Sequence, residues 1–185
     1  EIYTLSLHDA LPISISIANA ETTDGSVLAS TSFQMPASDV TITDAKYYSY
    51  DVDYQTWDGN QKKLVSAKTD PNTKVYILDG SETTLGTDNT ETWHVAQGAL
   101  NYSGRLLLKG NVHLILANNA EMTVNNEENA NSNAILHYGY SSDNSFTIYG
   151  QSVGTGEKIG SLSAVSTGDA IRIQSGDITI NGGSV

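Results

Sequence analysis

Near the end of the chain, Asp143, Asp177 and Arg172 are the residue types that cleave sugar bonds, with Asp169 and Lys158 close by. Glycoside hydrolysis uses two carboxyl groups, about 5–5.5 Å apart for retention and about 6.5–9.5 Å apart for inversion. Asp143 and Asp177 are 34 residues apart, so a chain coiling with that period would stack them on one face. The simpler reading makes both polar turn residues just before a strand. It is preferred, and no catalytic residue is assigned.

Other groups carry less. Asn125-Asn126-Glu127-Glu128-Asn129 offers oxygen ligands of the kind calcium takes. It lacks the regular aspartate spacing of a dedicated loop and reads as a solvated insertion, so no metal site and no cofactor are expected. Asp51 and Asp53 share a strand face, while Asp79, Asp88 and Glu91 fall in a loop. His113 alternates with Val112 and Leu114 and should point outward; His94, between Trp93 and Val95, is read the same way. With His137 they form no Ser-His-Asp spacing. The best binding candidates are aromatic: Tyr48, Tyr50, Tyr54 and Trp57, beside Tyr47. Exposed rings stack on sugars, and tyrosine adds a polar tip. The competing and favoured reading is that these rings cap the open end of the fold.

The elements that would position these residues are strands. Apolar alternation at period two marks Val112-Leu114-Leu116, Phe146-Ile148 and Ile178-Ile180. Phe146 to Ile178 is a step of 32 residues, Val112 to Phe146 one of 34, and Ala134 to Ala170 one of 36. Near-constant steps with variable loops describe stacked coils, with Gly150, Gly168, Gly176 and Gly182 at the corners. Helix-period patterns are lacking. The fold class expected is all-β: a short parallel, right-handed β-helix over 93–185, preceded by an irregular β lead-in or cap over 46–92. A two-sheet sandwich of the same strands is the alternative. Asp58-Gly59 marks a hairpin and Asp79-Gly80 a turn; Ser81 to Thr92 reads as a polar loop.

The net charge is −12, or −10 once Glu1 and Asp9 are set aside. Nucleic acid, whose phosphates call for Lys and Arg clusters, is a poor partner, and no stretch approaches the ~18 apolar residues of a membrane span. There is no cysteine, which excludes disulfides and thiol chemistry.

Three resemblances add a setting. Residues 1–13, Glu-Ile-Tyr-Thr-Leu-Ser-Leu-His-Asp-Ala-Leu-Pro-Ile, resemble a translated sequencing adapter and are set aside as an artefact. Phe33, Met35-Pro36-Ala37 and Asp39-Val40-Thr41 resemble the closing strand of Listeria–Bacteroides-type surface repeats, which makes 14–45 a repeat remnant. Trp93-His94-Val95 through Val124, which includes His113-Leu114-Ile115-Leu116, then Phe146 to Gln151 and Ile178-Thr179-Ile180-Asn181-Gly182-Gly183-Ser184-Val185 resemble β-helical repeats of large secreted proteins of gut Bacteroidetes and Firmicutes. That family implies a secreted or cell-surface location and no particular chemistry. The chain stops within a repeat, so further coils and a signal peptide are expected outside it. The leading expectation is a non-enzymatic structural or adhesive module whose partners are glycans or cell-surface proteins. The alternative is a carbohydrate-binding module or a fragment of a β-helix polysaccharide lyase or hydrolase.

Overall fold

A computed structural model describes residues 3–5, 14–16, 32–34, 40–42, 47–128, 132–138, 144–152 and 157–185, and side chains from Ser49 on. The described residues form strands, turns and bends with no helix, so the protein is all-β. The chain divides into Glu1–Ser49 and Tyr50–Val185.

The first unit holds β1 (Tyr3–Leu5), β2 (Ser14–Ser16), β3 (Ser32–Gln34), β4 (Val40–Ile42) and β5 (Tyr47–Ser49). β1 pairs antiparallel with β4, and β2 with β3, Ile15 standing opposite Phe33. Residues 3–5, set aside in the sequence reading, thus form a strand; aromatic and β-branched side chains such as Tyr3 and Thr4 favour one. Residues 35–39, with the Met-Pro-Ala motif, lie outside the described residues.

The second unit opens with a hairpin of β6 (Asp53–Asp58) and β7 (Lys63–Lys68), paired from Asp53↔Lys68 to Asp58↔Lys63. Asp58 Oδ1 accepts hydrogen bonds from the backbone N–H groups of Asn60 and Gln61 at 2.8 and 3.1 Å, fixing the turn that Asp58-Gly59 signals. The remaining strands are β8 (Val75–Ile77), β9 (Thr84–Ala96), β10 (Ala99–Ser103), β11 (Leu106–Leu116), β12 (Glu121–Asn126), β13 (Ile135–His137), β14 (Ser145–Gly150), β15 (Ser161–Ser166), β16 (Ile171–Ile173) and β17 (Asp177–Asn181).

Every pairing among β8 to β17 is parallel. Three stacks result. One contains β8, the second half of β9, the second half of β11, β14 and β17. The next contains the first halves of β9 and β11, then β13 and β16. The last contains β10, β12 and β15, with a single bridge from Ser161 to Ser184. From β9 onward the chain visits the stacks in one fixed order. The steps read from the sequence reappear as registers: Val112↔Phe146, Phe146↔Ile178 and Ile135↔Ile171.

The main core draws on all three stacks. Leu106, Leu108 and Ile135 meet Val112, Leu114, Leu116, Phe146 and Ile148, and Leu100, Met122, Val124 and Leu162 complete it. Burying each side chain of this size contributes roughly 1.5–3 kcal/mol. Ile178 and Ile180 follow the same inward alternation but are 44% and 53% exposed, because among the described residues no strand lies over β17.

Two sequence expectations need correction. Ser81–Thr92 is not a loop throughout, since β9 begins at Thr84 and pairs with Leu107 and Leu108. Backbone pairing makes this strand; only Leu85 in its first half is fully buried, so hydrophobic alternation could not reveal it. Parallel pairing also begins at Val75, earlier than residue 93. Among the expected corner glycines, Gly176 and Gly182 have positive φ, and Asn119 lies in the left-handed region with φ of 63°.

The register shifts between Lys109 and Asn111, where Gly110 bends β11 at φ +67°. A Cβ there would lie 2.3 Å from the Thr87 carbonyl oxygen and 2.5 Å from that of Thr90. Gly110→Ala should therefore cost about 2–4 kcal/mol in denaturant unfolding. Gly59→Ala, where a Cβ meets nothing within 4 Å, should stay within about 0.5 kcal/mol. Equal losses at both sites would refute this account of the bend.

Candidate functional site

Parallel register makes side-chain ladders. On the face of the first stack turned away from the main core, Val75, Trp93, His113, Thr147 and Thr179 stand in line. Ile77, Val95, Ile115, Tyr149 and Asn181 form the next line. His113 therefore points outward, as alternation with Val112 and Leu114 requires. His94 does not: it pairs with Leu114, is buried, and lies 5.7 Å from the Tyr76 ring. Trp93 and Val95 take the outward positions, so the residue between them must turn in. His137 is also buried, with Nε2 2.7 Å from the Gly110 carbonyl oxygen. His94 and His137 thus take inward places, in register with Leu114 and Leu108, while His113 faces the other way.

The outward ladder is aromatic. Trp93 and His113 stack with centroids 4.1 Å apart at 8°, and Tyr149 lies nearly parallel at 5.4 Å from Trp93 and 5.8 Å from His113. His113 Nδ1 hydrogen-bonds the Tyr149 hydroxyl at 2.9 Å. Glu91 Oε1 accepts from Trp93 Nε1 at 2.8 Å and lies 3.6 Å from His113 Nε2. The order carboxylate, imidazole, phenol resembles an acid–base relay, but the β6–β7 hairpin closes it. Tyr54 packs 5.3 Å from Trp93 and edge-on 4.8 Å from Tyr149, within a second apolar cluster that includes Val52, Val75, Val95 and Ile115. Gln55 Nε2 donates to Ser66 Oγ at 3.1 Å and to the Gln151 carbonyl at 3.3 Å. Burial pushes the Tyr149 phenol up to about 12, with Tyr54 adding to it. Burial also pulls the His113 imidazole below its usual range, and Glu91 partly opposes that. The His113 side chain is largely covered, whereas the Glu91 carboxylate at the end of the row is exposed, the two keeping 16% and 60% of their surface open.

The aromatic candidates are dispersed. Tyr54 covers the flank of the sheet, not its open end. Tyr50 is half-buried, Trp57 is 55% exposed, and the Tyr48 side chain lies outside the described residues. Of the carboxylate candidates, Asp177 pairs with Ser145 at a step of 32, and Asp143 lies outside the described residues. Arg172 Nη1 is held by Asp169 Oδ2 at 3.0 Å, and Lys158 pairs with Glu121. The acidic run ties up its own turn: Asn125 bonds Glu127, and Asn126 Nδ2 donates to Ser132 Oγ and the Asn133 carbonyl. Among the described residues no three His, Asp or Glu side chains converge to hold a metal ion.

Two groupings lay beyond sequence reasoning. One is a turn lock: Asp79 Oδ1 accepts from Ser81, and Glu82 Oε2 accepts from Gly80 N and the Tyr102 hydroxyl, whose pKa rises through burial and then this bond. The other is a surface hollow on the second stack, lined by Asp88, Arg105, Leu107, Lys109, Leu136 and Tyr138. Its floor depends on the register that sets Leu107 beside Leu136, which no local motif marks.

Compared with protein-family models, with curated proteins and with solved structures, the chain gives no match in any of the three.

The His113 environment sets a pH dependence. Its folded pKa lies below the ordinary 6.5, so the neutral ring is favoured by folding. That stability is fully present above the unfolded pKa and is lost as pH falls from about 6.5 through the folded value. The melting temperature should fall over this window, and His113→Gln should flatten the fall. Parallel pH profiles for the two proteins would exclude His113 as its source.

Proposed function

We propose that the parallel stacks are coils of a right-handed β-helix, and that this is a non-enzymatic structural or adhesive module of a secreted bacterial cell-surface protein. The fixed visiting order of the stacks and their recurring registers support the coil reading. The observation that carries the scaffold reading is the hairpin laid over the Trp93–His113–Tyr149 ladder. The rings most suited to a ligand are spent on joining two layers of the molecule. Glycans and cell-surface proteins are the partners this setting favours.

A carbohydrate-acting reading has one specific support: Trp57, an indole more than half exposed on the hairpin. The enzymatic form of it requires Asp143, Asp177 and Arg172 to converge. The Asp177–Ser145 register and the Asp169–Arg172 ion pair give that no support.

The test is an assay on insoluble plant and host polysaccharides that records protein retained and sugar released, after circular dichroism has verified β structure. The scaffold reading expects no sugar release. Release that disappears in Asp177→Asn would overturn it. Retention abolished by Trp57→Ala would replace it with glycan binding through the hairpin.

A further inference from the structure

The hollow on the second stack has the makings of a binding site. Its floor is the outward ladder of that stack, where Thr84, Leu107, Leu136 and Arg172 are in register. Leu136 is buried, Leu107 is half-buried, and Tyr138 stands at the hollow with 63% of its surface exposed. Arg105, just before β11 begins, and Lys109, on β11 just before the Gly110 bend, line it from the two sides of Leu107.

The charges there are unevenly used. Lys109 is paired with Asp88 at 3.1 Å. Arg105 uses Nε on the Asn133 carbonyl at 3.4 Å, and among the described residues no carboxylate lies within ion-pair reach of its guanidinium. In a chain of net charge −12 with nine Lys and Arg, both arginines, Arg105 and Arg172, belong to this one stack and its approach. Such an isolated guanidinium fits a carboxylate in two-pronged fashion. An exposed phenol ring beside a leucine floor suits the C–H face of a pyranose.

We propose that the hollow formed by Arg105, Lys109, Leu107, Leu136 and Tyr138 binds a hexuronate unit of an acidic glycan. Arg105 holds the sugar carboxylate, Tyr138 stacks on the ring, and Lys109, released in part from Asp88, adds a second positive charge. An acidic peptide would satisfy Arg105 but would leave the ring and the apolar floor unused. The proposal gives the adhesive half of the functional reading a ligand and rests on it; a purely structural scaffold would lack this site.

The probe is a β-linked glucuronate tetramer, followed by calorimetry and by chemical-shift changes in the whole chain, with its methyl ester and tetraglutamate as comparisons. The expected result is saturable binding of the acid that weakens with salt. The methyl ester and Arg105→Gln should each weaken it at least tenfold, and Tyr138→Ala should do so with an unchanged melting temperature. Absence of saturation at millimolar acid would overturn the proposal, as would full affinity in Arg105→Gln. Equal binding of tetraglutamate would overturn it in favour of an acidic peptide. Failure of the scaffold reading appears elsewhere, as sugar release in the polysaccharide assay, so the two are told apart.

Discussion

Parallel backbone pairing in strict register is the constraint from which the rest follows. Once the Val112 strand lies beside the Phe146 strand with no slip, each side chain acquires a fixed neighbour on the next strand. A slip of one residue in the Phe146 strand would turn Phe146 and Ile148 outward and Thr147 inward. Apolar residues at alternate positions hold the register, and the register then builds ladders on both faces. The inner ladder is the core, and the outer one is the Trp93–His113–Tyr149 stack. Neither could exist without the other, because they are the two sides of the same strands.

Much of this was legible from the residues wherever the inner ladder is purely aliphatic. Val112, Leu114 and Leu116 repeat as Phe146 and Ile148, then as Ile178 and Ile180, and their spacing is the strand register. Legibility ends where polar residues take inward places. His94 sits opposite Leu114 and Thr92 opposite Val112, so of the inward places at the step of 20 residues from Trp93 to His113 only Ala96, opposite Leu116, is apolar. Without that step, the stacking of Trp93 on His113 cannot be foreseen, and His94 is assigned the wrong face. Thr84 to Thr92 fails for a related reason: main-chain hydrogen bonds make the strand, and its side chains carry little pattern.

The sites differ in how far they depend on local sequence. Asp58-Gly59 and Asp79-Gly80 are short-range signals, and their turns form as read. Tyr54 shows the opposite case. Its sequence neighbours suggest an aromatic row, but its partners are 39 and 95 residues away, at Trp93 and Tyr149. The hollow around Arg105 depends on distance in the same way, since Tyr138 follows β13 while Arg105 precedes β11. Side chains on neighbouring parallel strands meet through the backbone's geometry, and no local motif announces the meeting.

The hairpin has a mechanical consequence. β6 and β7 precede the parallel strands in the chain, yet Tyr54 and Gln55 engage Tyr149 and Gln151 at the end of β14. A tension applied at Val185 first peels away β17, whose isoleucines are already half in water. The next strand of that stack, β14, is wedged by a ring and tied by an amide drawn from about a hundred residues upstream. Along the chain the force must also pass β16 and β15 before it meets this clasp, where the load passes from single strand-to-strand contacts to a joint that spans the flank of the molecule.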